Sequence, residues 1–91
     1  MIRKTLRIQS ELGLHARAAA KLVRLTSRFE SDIKLSRLNT EEQVDAKSIL
    51  GILLLAAAQG TELQVMTDGR DEKVAMEAVV QLVNSRFGEE K

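Results

Sequence analysis

The one histidine of the chain, His15, lies in the run Gly13-Leu14-His15-Ala16-Arg17, where an alternating apolar pattern gives way to a helical one. A helix start gathers unpaired N–H donors and the positive end of the backbone dipole, and so favours an anion. An imidazole there, with Arg17 close behind, has the parts needed to carry a phosphoryl group: a nitrogen nucleophile, and donors for the oxygens that arrive with the phosphorus. The plainer role of the same residues is a polar cap followed by a solvated arginine. Ser48 holds a similar place ahead of Ile49-Leu50-Gly51-Ile52-Leu53-Leu54-Leu55, where its hydroxyl suits an N-cap.

The elements that position these residues follow from the spacing of apolar side chains. Ile2, Leu6 and Ile8 alternate with Arg3, Thr5 and Arg7, the pattern of a strand with one buried face. Gly13 permits a turn. A helix follows from Ala16 to about Arg28, with Ala16, Ala19, Ala20, Val23 and Leu22 facing inward and Lys21, Arg24 and Arg28 outward. Ile33 and Leu35 mark a second strand, Asn39-Thr40 a turn, and Glu42 to Asp45 a short third strand carrying Val44. The apolar helix after Ser48 ends at Gly60 after the small residues Ala56 to Ala58. Leu63 and Val65 define a fourth strand and Asp68-Gly69 a turn. A last helix spans about Asp71 to Phe87, with Val74, Ala75, Ala78, Val79, Leu82 and Val83 on one stripe. Asp71 and Glu72 suit its first turn and Arg86 its last.

This order, β-α-β-β-α-β-α, predicts an α/β fold of the α+β kind: an open-faced sandwich with a four-stranded antiparallel sheet and three helices on one face. The 91 residues suit one domain, 1–91. A net charge of +1 gives no global drive toward nucleic acid or anionic lipid, so any charge-based recognition is local. With no cysteine there are no disulfides or thiolate metal ligands, and with one histidine a zinc site would need carboxylates for every other ligand. No signal-peptide pattern opens the chain, and the apolar run 49–58 is too short to cross a bilayer, so a cytoplasmic protein is expected.

The motif around His15, together with Asp45-Ala46-Lys47-Ser48-Ile49-Leu50-Gly51, resembles the HPr family, the histidine-containing phosphocarriers of the phosphoenolpyruvate-dependent sugar phosphotransferase system. The resemblance extends over nearly the whole chain, including the element order, the Gln59-Gly60 helix exit and the final helix. It implies phosphorylation of His15 at Nδ1 by enzyme I, and onward transfer to a histidine of an enzyme IIA domain, with no cofactor and no turnover of its own. The backbone N–H groups of Ala16 and Arg17, and the Arg17 side chain, would then hold the phosphate. The resemblance further implies that Ser48 is a regulatory site for a serine kinase/phosphorylase. By the same resemblance Ile49, Leu50 and Leu53 dock both partners, with Ala16, Ala20, Lys21 and Arg24 completing the surface. A carrier serving successive partners through one face is expected to be a monomer. One position departs from the best-known members: Ala18 stands where they have proline.

Among other readings, the nitrogen-related branch of the same carriers shares the His15 chemistry but serves mainly regulation. An RNA-binding sheet would need stacking aromatics, and the chain has only Phe29 and Phe87, both on predicted helices or their ends. A stand-alone enzyme would need a second group placed as a base, and no such motif is present.

Overall fold

The computed structural model describes residues 1–89. Its elements are β1 (Ile2–Arg7), α1 (Ala16–Thr26), β2 (Asp32–Arg37), β3 (Val44–Asp45), α2 (Ile49–Leu54), β4 (Glu62–Asp68) and α3 (Glu72–Asn84), followed by a 3-10 turn at Arg86–Gly88. The strands form one sheet in the order β1-β4-β2-β3, antiparallel at every pairing. The alternation seen in sequence is the register of that sheet. Leu6 pairs with Leu63, and Val65 with Leu35, so the apolar residues share the covered face; Thr5, Gln64 and Ser36 form a polar row on the other. Ile33, Leu35, Leu63 and Val65 meet Leu22, Ile52, Met76, Val79 and Phe87 in one buried cluster beneath the three helices. Among the described residues no helix is long and apolar enough to cross a membrane.

Several local expectations are corrected. The buried stripe of α1 is Ala18, Ala19, Leu22 and Thr26, whereas Ala16 is exposed and Ala20 and Val23 are half-buried. Three consecutive alanines carry little information about which way they face. Thr26 settles it: its hydroxyl donates to the Ala46 carbonyl at 2.8 Å and turns the helix toward the sheet. The third strand is only Val44–Asp45, without Glu42 and Gln43. Gly60 does not end α2; Leu55 is its C-cap and Ala56 takes the left-handed conformation (φ 48°), while Gly60 lies in the turn before β4. The carbonyls at that helix end are satisfied from the end of β2, since the Arg37 guanidinium donates to Leu55 O at 2.9 Å and to Ala56 O at 2.7 Å. That long-range cap does the work a glycine would have done locally.

In α3, Val74 is 58% exposed and Met76 takes its place in the core. The helix also begins and ends inside its predicted span. Asp71 is the N-cap residue but makes no cap bond. Its carboxylate instead accepts from the Ser31 hydroxyl and from the N–H groups of Glu30 and Ser31, tying the entry of β2 to the start of α3. The Ser31 hydroxyl first, and those backbone donors with it, hold the Asp71 carboxyl below the usual carboxylate range. Arg86, expected in the last helical turn, lies beyond α3 in a left-handed turn.

Candidate functional site

His15 is the N-cap of α1, with extended backbone (φ −79°, ψ 178°), and its Nδ1 accepts the Arg17 N–H at 3.2 Å. The loop before it is fixed by close packing. Gly13 has φ +65°, and a Cβ there would lie 2.4 Å from the Ala57 carbonyl oxygen, so only glycine lets this loop lie against the segment after α2. The Leu14 N–H then donates to that same carbonyl at 2.9 Å, and buried Leu14 anchors the residue before the histidine.

The other ring nitrogen meets a group that the sequence reading did not single out. Nε2 lies 2.9 Å from Glu89 Oε1, and the Arg17 guanidinium lies 3.9 Å from Glu89 Oε2. A backbone N–H can only donate and an ionised carboxylate can only accept. The two contacts are therefore satisfied together by one ring form, with the proton on Nε2 and a bare Nδ1. The His15 side chain is 24% exposed and that of Glu89 15%, whereas Arg17 is 71% exposed and has room to move.

Glu89 reaches the corner through an unusual chain path. Arg86, Phe87 and Gly88 all have positive φ (56°, 57° and 75°), which costs roughly 1–2 kcal/mol for each non-glycine residue. Phe87 inserts fully into the core, and such burial returns about 1.5–3 kcal/mol. Lys21 Nζ donates to the Phe87 carbonyl at 2.7 Å, clamping the turn against α1. No local pattern announces this; a glutamate near the end of a polar tail looks like a solvated one.

Ser48 is the N-cap of α2, its hydroxyl accepting the Gly51 N–H at 3.1 Å. A Cβ on Gly51 would come within 3.3 Å of both Asp45 O and Val44 Cβ, so the glycine sets how closely α2 rests on β3. Only Ile52 of this helix is buried. Ile49 (43%), Leu50 (68%), Leu53 (37%) and Leu54 (72%) are exposed, as is Leu12 (68%) in the loop before His15. Helices α1 and α2 pack together, which sets this apolar surface beside the histidine-bearing helix. On α1, Ala16 and Arg24 are exposed, and Ala20 and Lys21 half-buried. Lys21 is partly committed to the Phe87 carbonyl, while Arg24 lines a shallow groove with Arg28 and Leu82. Ala18 is fully buried in the first turn of α1. Among the described residues no cluster of His, Cys, Asp and Glu has the makings of a metal site.

The protein is thus an open-faced α+β sandwich with its one histidine at a helix start. A family model described as the PTS HPr component phosphorylation site matches residues 2–85. The phosphocarrier protein HPr of Cupriavidus necator is 48% identical over 89 residues, covering 98% of each chain. The crystal structure of HPr-C-His from Thermoanaerobacter tengcongensis is similar with a TM-score of 0.93 and 42% identity over 100% of both chains. An HPr dimer from the same organism matches with a TM-score of 0.76 at 42% identity, covering 98% of this chain and 100% of the other. The chain belongs to the HPr family, the phosphocarrier proteins of the phosphotransferase system (PTS). Its members are carriers of a phosphoryl group and not catalytic enzymes.

Proposed function

We propose that this carrier takes the phosphoryl group from phosphorylated enzyme I on His15 Nδ1 and delivers it to a histidine of an enzyme IIA domain. The observation that carries the reading is the Nδ1 atom itself, an acceptor at the mouth of α1 that meets the Arg17 N–H at 3.2 Å. In the transfer the Nδ1 lone pair gives up the Arg17 N–H and forms a bond to phosphorus. The donor's bond to phosphorus breaks, and its electron pair stays with the donor. The phosphoryl oxygens then lie near the positive end of the α1 dipole, the N–H groups of Ala16 and Arg17, and an exposed guanidinium at Arg17 able to swing onto them. Delivery to enzyme IIA reverses the same step on another histidine.

Docking of both partners is assigned to Ile49, Leu50 and Leu53 of α2 with Ala16, Ala20, Lys21 and Arg24 of α1. Exposed aliphatic side chains supply buried area in the complex, the small alanines permit close approach, and the basic residues suit acidic partner residues. Ser48 is the regulatory site, acted on by a serine kinase/phosphorylase. A phosphate at that cap is tolerated by the helix but places about −1.5 to −2 charges beside an apolar docking face. One shared face used in succession favours a monomeric carrier in the cytoplasm, where phosphoenolpyruvate and these partners meet.

The test is to phosphorylate ¹⁵N-labelled protein with enzyme I and phosphoenolpyruvate and read nitrogen–phosphorus coupling by NMR. Coupling to His15 Nδ1 is the expected result. Coupling to Nε2, phosphate on another residue, or no uptake would overturn the assignment. A protein that accepts only from a nitrogen-type enzyme I would keep the chemistry and exchange the partners.

A further inference from the structure

We propose that a basic side chain of enzyme I, flanked by apolar neighbours, docks in the cavity between α2 and the loop 38–43, against Leu54, Glu41 and Glu42; this rests on the carrier reading above. The cavity is open, about 700 Å³ in volume, and lies between the turn after β2 and the last turn of α2. Leu54 lines it and is 72% exposed, four residues on from Leu50 at 68%. Four residues are about one helical turn, so the two leucines share a face of α2 and the docking surface assigned to Leu50 runs on into the cavity. With Ile49 and Leu53, four of the six residues of α2 are exposed aliphatics, a patch of the kind that marks an interface.

The charges beside that patch divide by element. On α1 they are basic, at Arg17, Lys21 and Arg24; on the loop they are acidic, at Glu41 and Glu42, both exposed. The one cation lining the cavity, Arg37, is spent on the Leu55 and Ala56 carbonyls, while neither glutamate has an ion-pair partner among the described residues. Such a face is polar from end to end and selects a partner of the opposite polarity, an acid over α1 and a base over the loop. That partner is the donor. When the donor arrives, the carrier's polarity is that of its own side chains; on delivery, the phosphoryl group adds negative charge at the basic end and flattens it. The leucines supply area, and the glutamates fix which way round enzyme I sits over His15.

The experiment measures uptake from phosphorylated enzyme I against carrier concentration, comparing the full chain with E41K/E42K, E41Q/E42Q and Leu54→Ser. At low ionic strength E41K/E42K is expected to raise KM about tenfold and E41Q/E42Q about threefold, with kcat unchanged, since these charges act on docking and touch no reacting atom. Salt at about 0.5 M should bring both charge variants most of the way to the parent. Leu54→Ser should keep a severalfold higher KM at either salt, because buried apolar area is not screened. An unchanged KM in E41K/E42K overturns the proposal, and a lower one overturns it by showing that the donor is acidic there. A defect confined to delivery to enzyme IIA overturns the choice of partner. Failure of the parent protein to take up phosphate removes the carrier reading, and this proposal with it.

Discussion

The first two helices both begin with a side chain that accepts an N–H of its own helix, yet the two caps are built for different ends. Ser48 is a preferred N-cap type and reaches the N–H three residues on, at 3.1 Å. His15 is larger, is not among the favoured caps, and reaches only two residues on, at 3.2 Å. Around Ser48 the helix is short, apolar and exposed. Around His15 a second ring nitrogen is engaged by a carboxylate 74 positions away. Stability alone would have been served by serine, asparagine or aspartate at position 15. On the proposed function, histidine there is explained by what its ring would accept and pass on. The start of α3 makes the contrast sharper, because its N-cap residue, Asp71, gives its carboxylate to the loop before β2 and caps nothing.

The largest effect is expected from breaking the loop that presents His15. Gly13→Val adds a side chain at positive φ directly against the Ala57 carbonyl. Strain and overpacking together should cost about 2–4 kcal/mol, seen as a lower urea midpoint. A change under about 0.5 kcal/mol would show that the close approach does not matter. Removing the cap at the other helix is milder. Ser48→Ala should cost about 1 kcal/mol, and an unaltered melting temperature would contradict the cap. Ser48→Asp should keep the helix capped yet slow uptake from enzyme I severalfold, through added charge at the proposed docking face. Equal kinetics would separate Ser48 from the docking surface.

The smallest effect concerns the uncapped third helix. Because the folded-state pKa of Asp71 is lowered, its contribution is complete above the ordinary aspartate value of about 4 and is lost as pH falls through the lower folded value. The parent protein should therefore lose more stability than Asp71→Asn between about pH 6 and about pH 3. Equal losses in denaturant midpoint would show that the Ser31–Asp71 tie carries no such linkage.

The comparison also shows what could be read from the sequence. The sheet was legible because residues such as Ile33, Leu35, Leu63 and Val65 sit at period two with polar neighbours, and register then follows. His15 was legible because the period changes at that residue. The facing of α1 was not, since Ala18, Ala19 and Ala20 differ only in where they point. The end of α2 is not legible in the sequence because Arg37, from β2, supplies its cap. Val74 and Met76 exchanged places because a valine and a methionine carry similar apolar signals in a helical stripe. Glu89 was invisible for a deeper reason. Its partnership depends on a left-handed turn stabilised by Phe87 and Lys21, and no local rule connects residues 15 and 89.

The most direct test of the central claim is His15→Asn, which removes the nucleophile while supplying a better helix cap. The account predicts a protein at least as stable as the parent, with no phosphate gained from enzyme I and phosphoenolpyruvate by intact mass, where the parent gains one. Phosphate uptake by the variant at the parent's rate would contradict it, and would place the carrier function at some other residue.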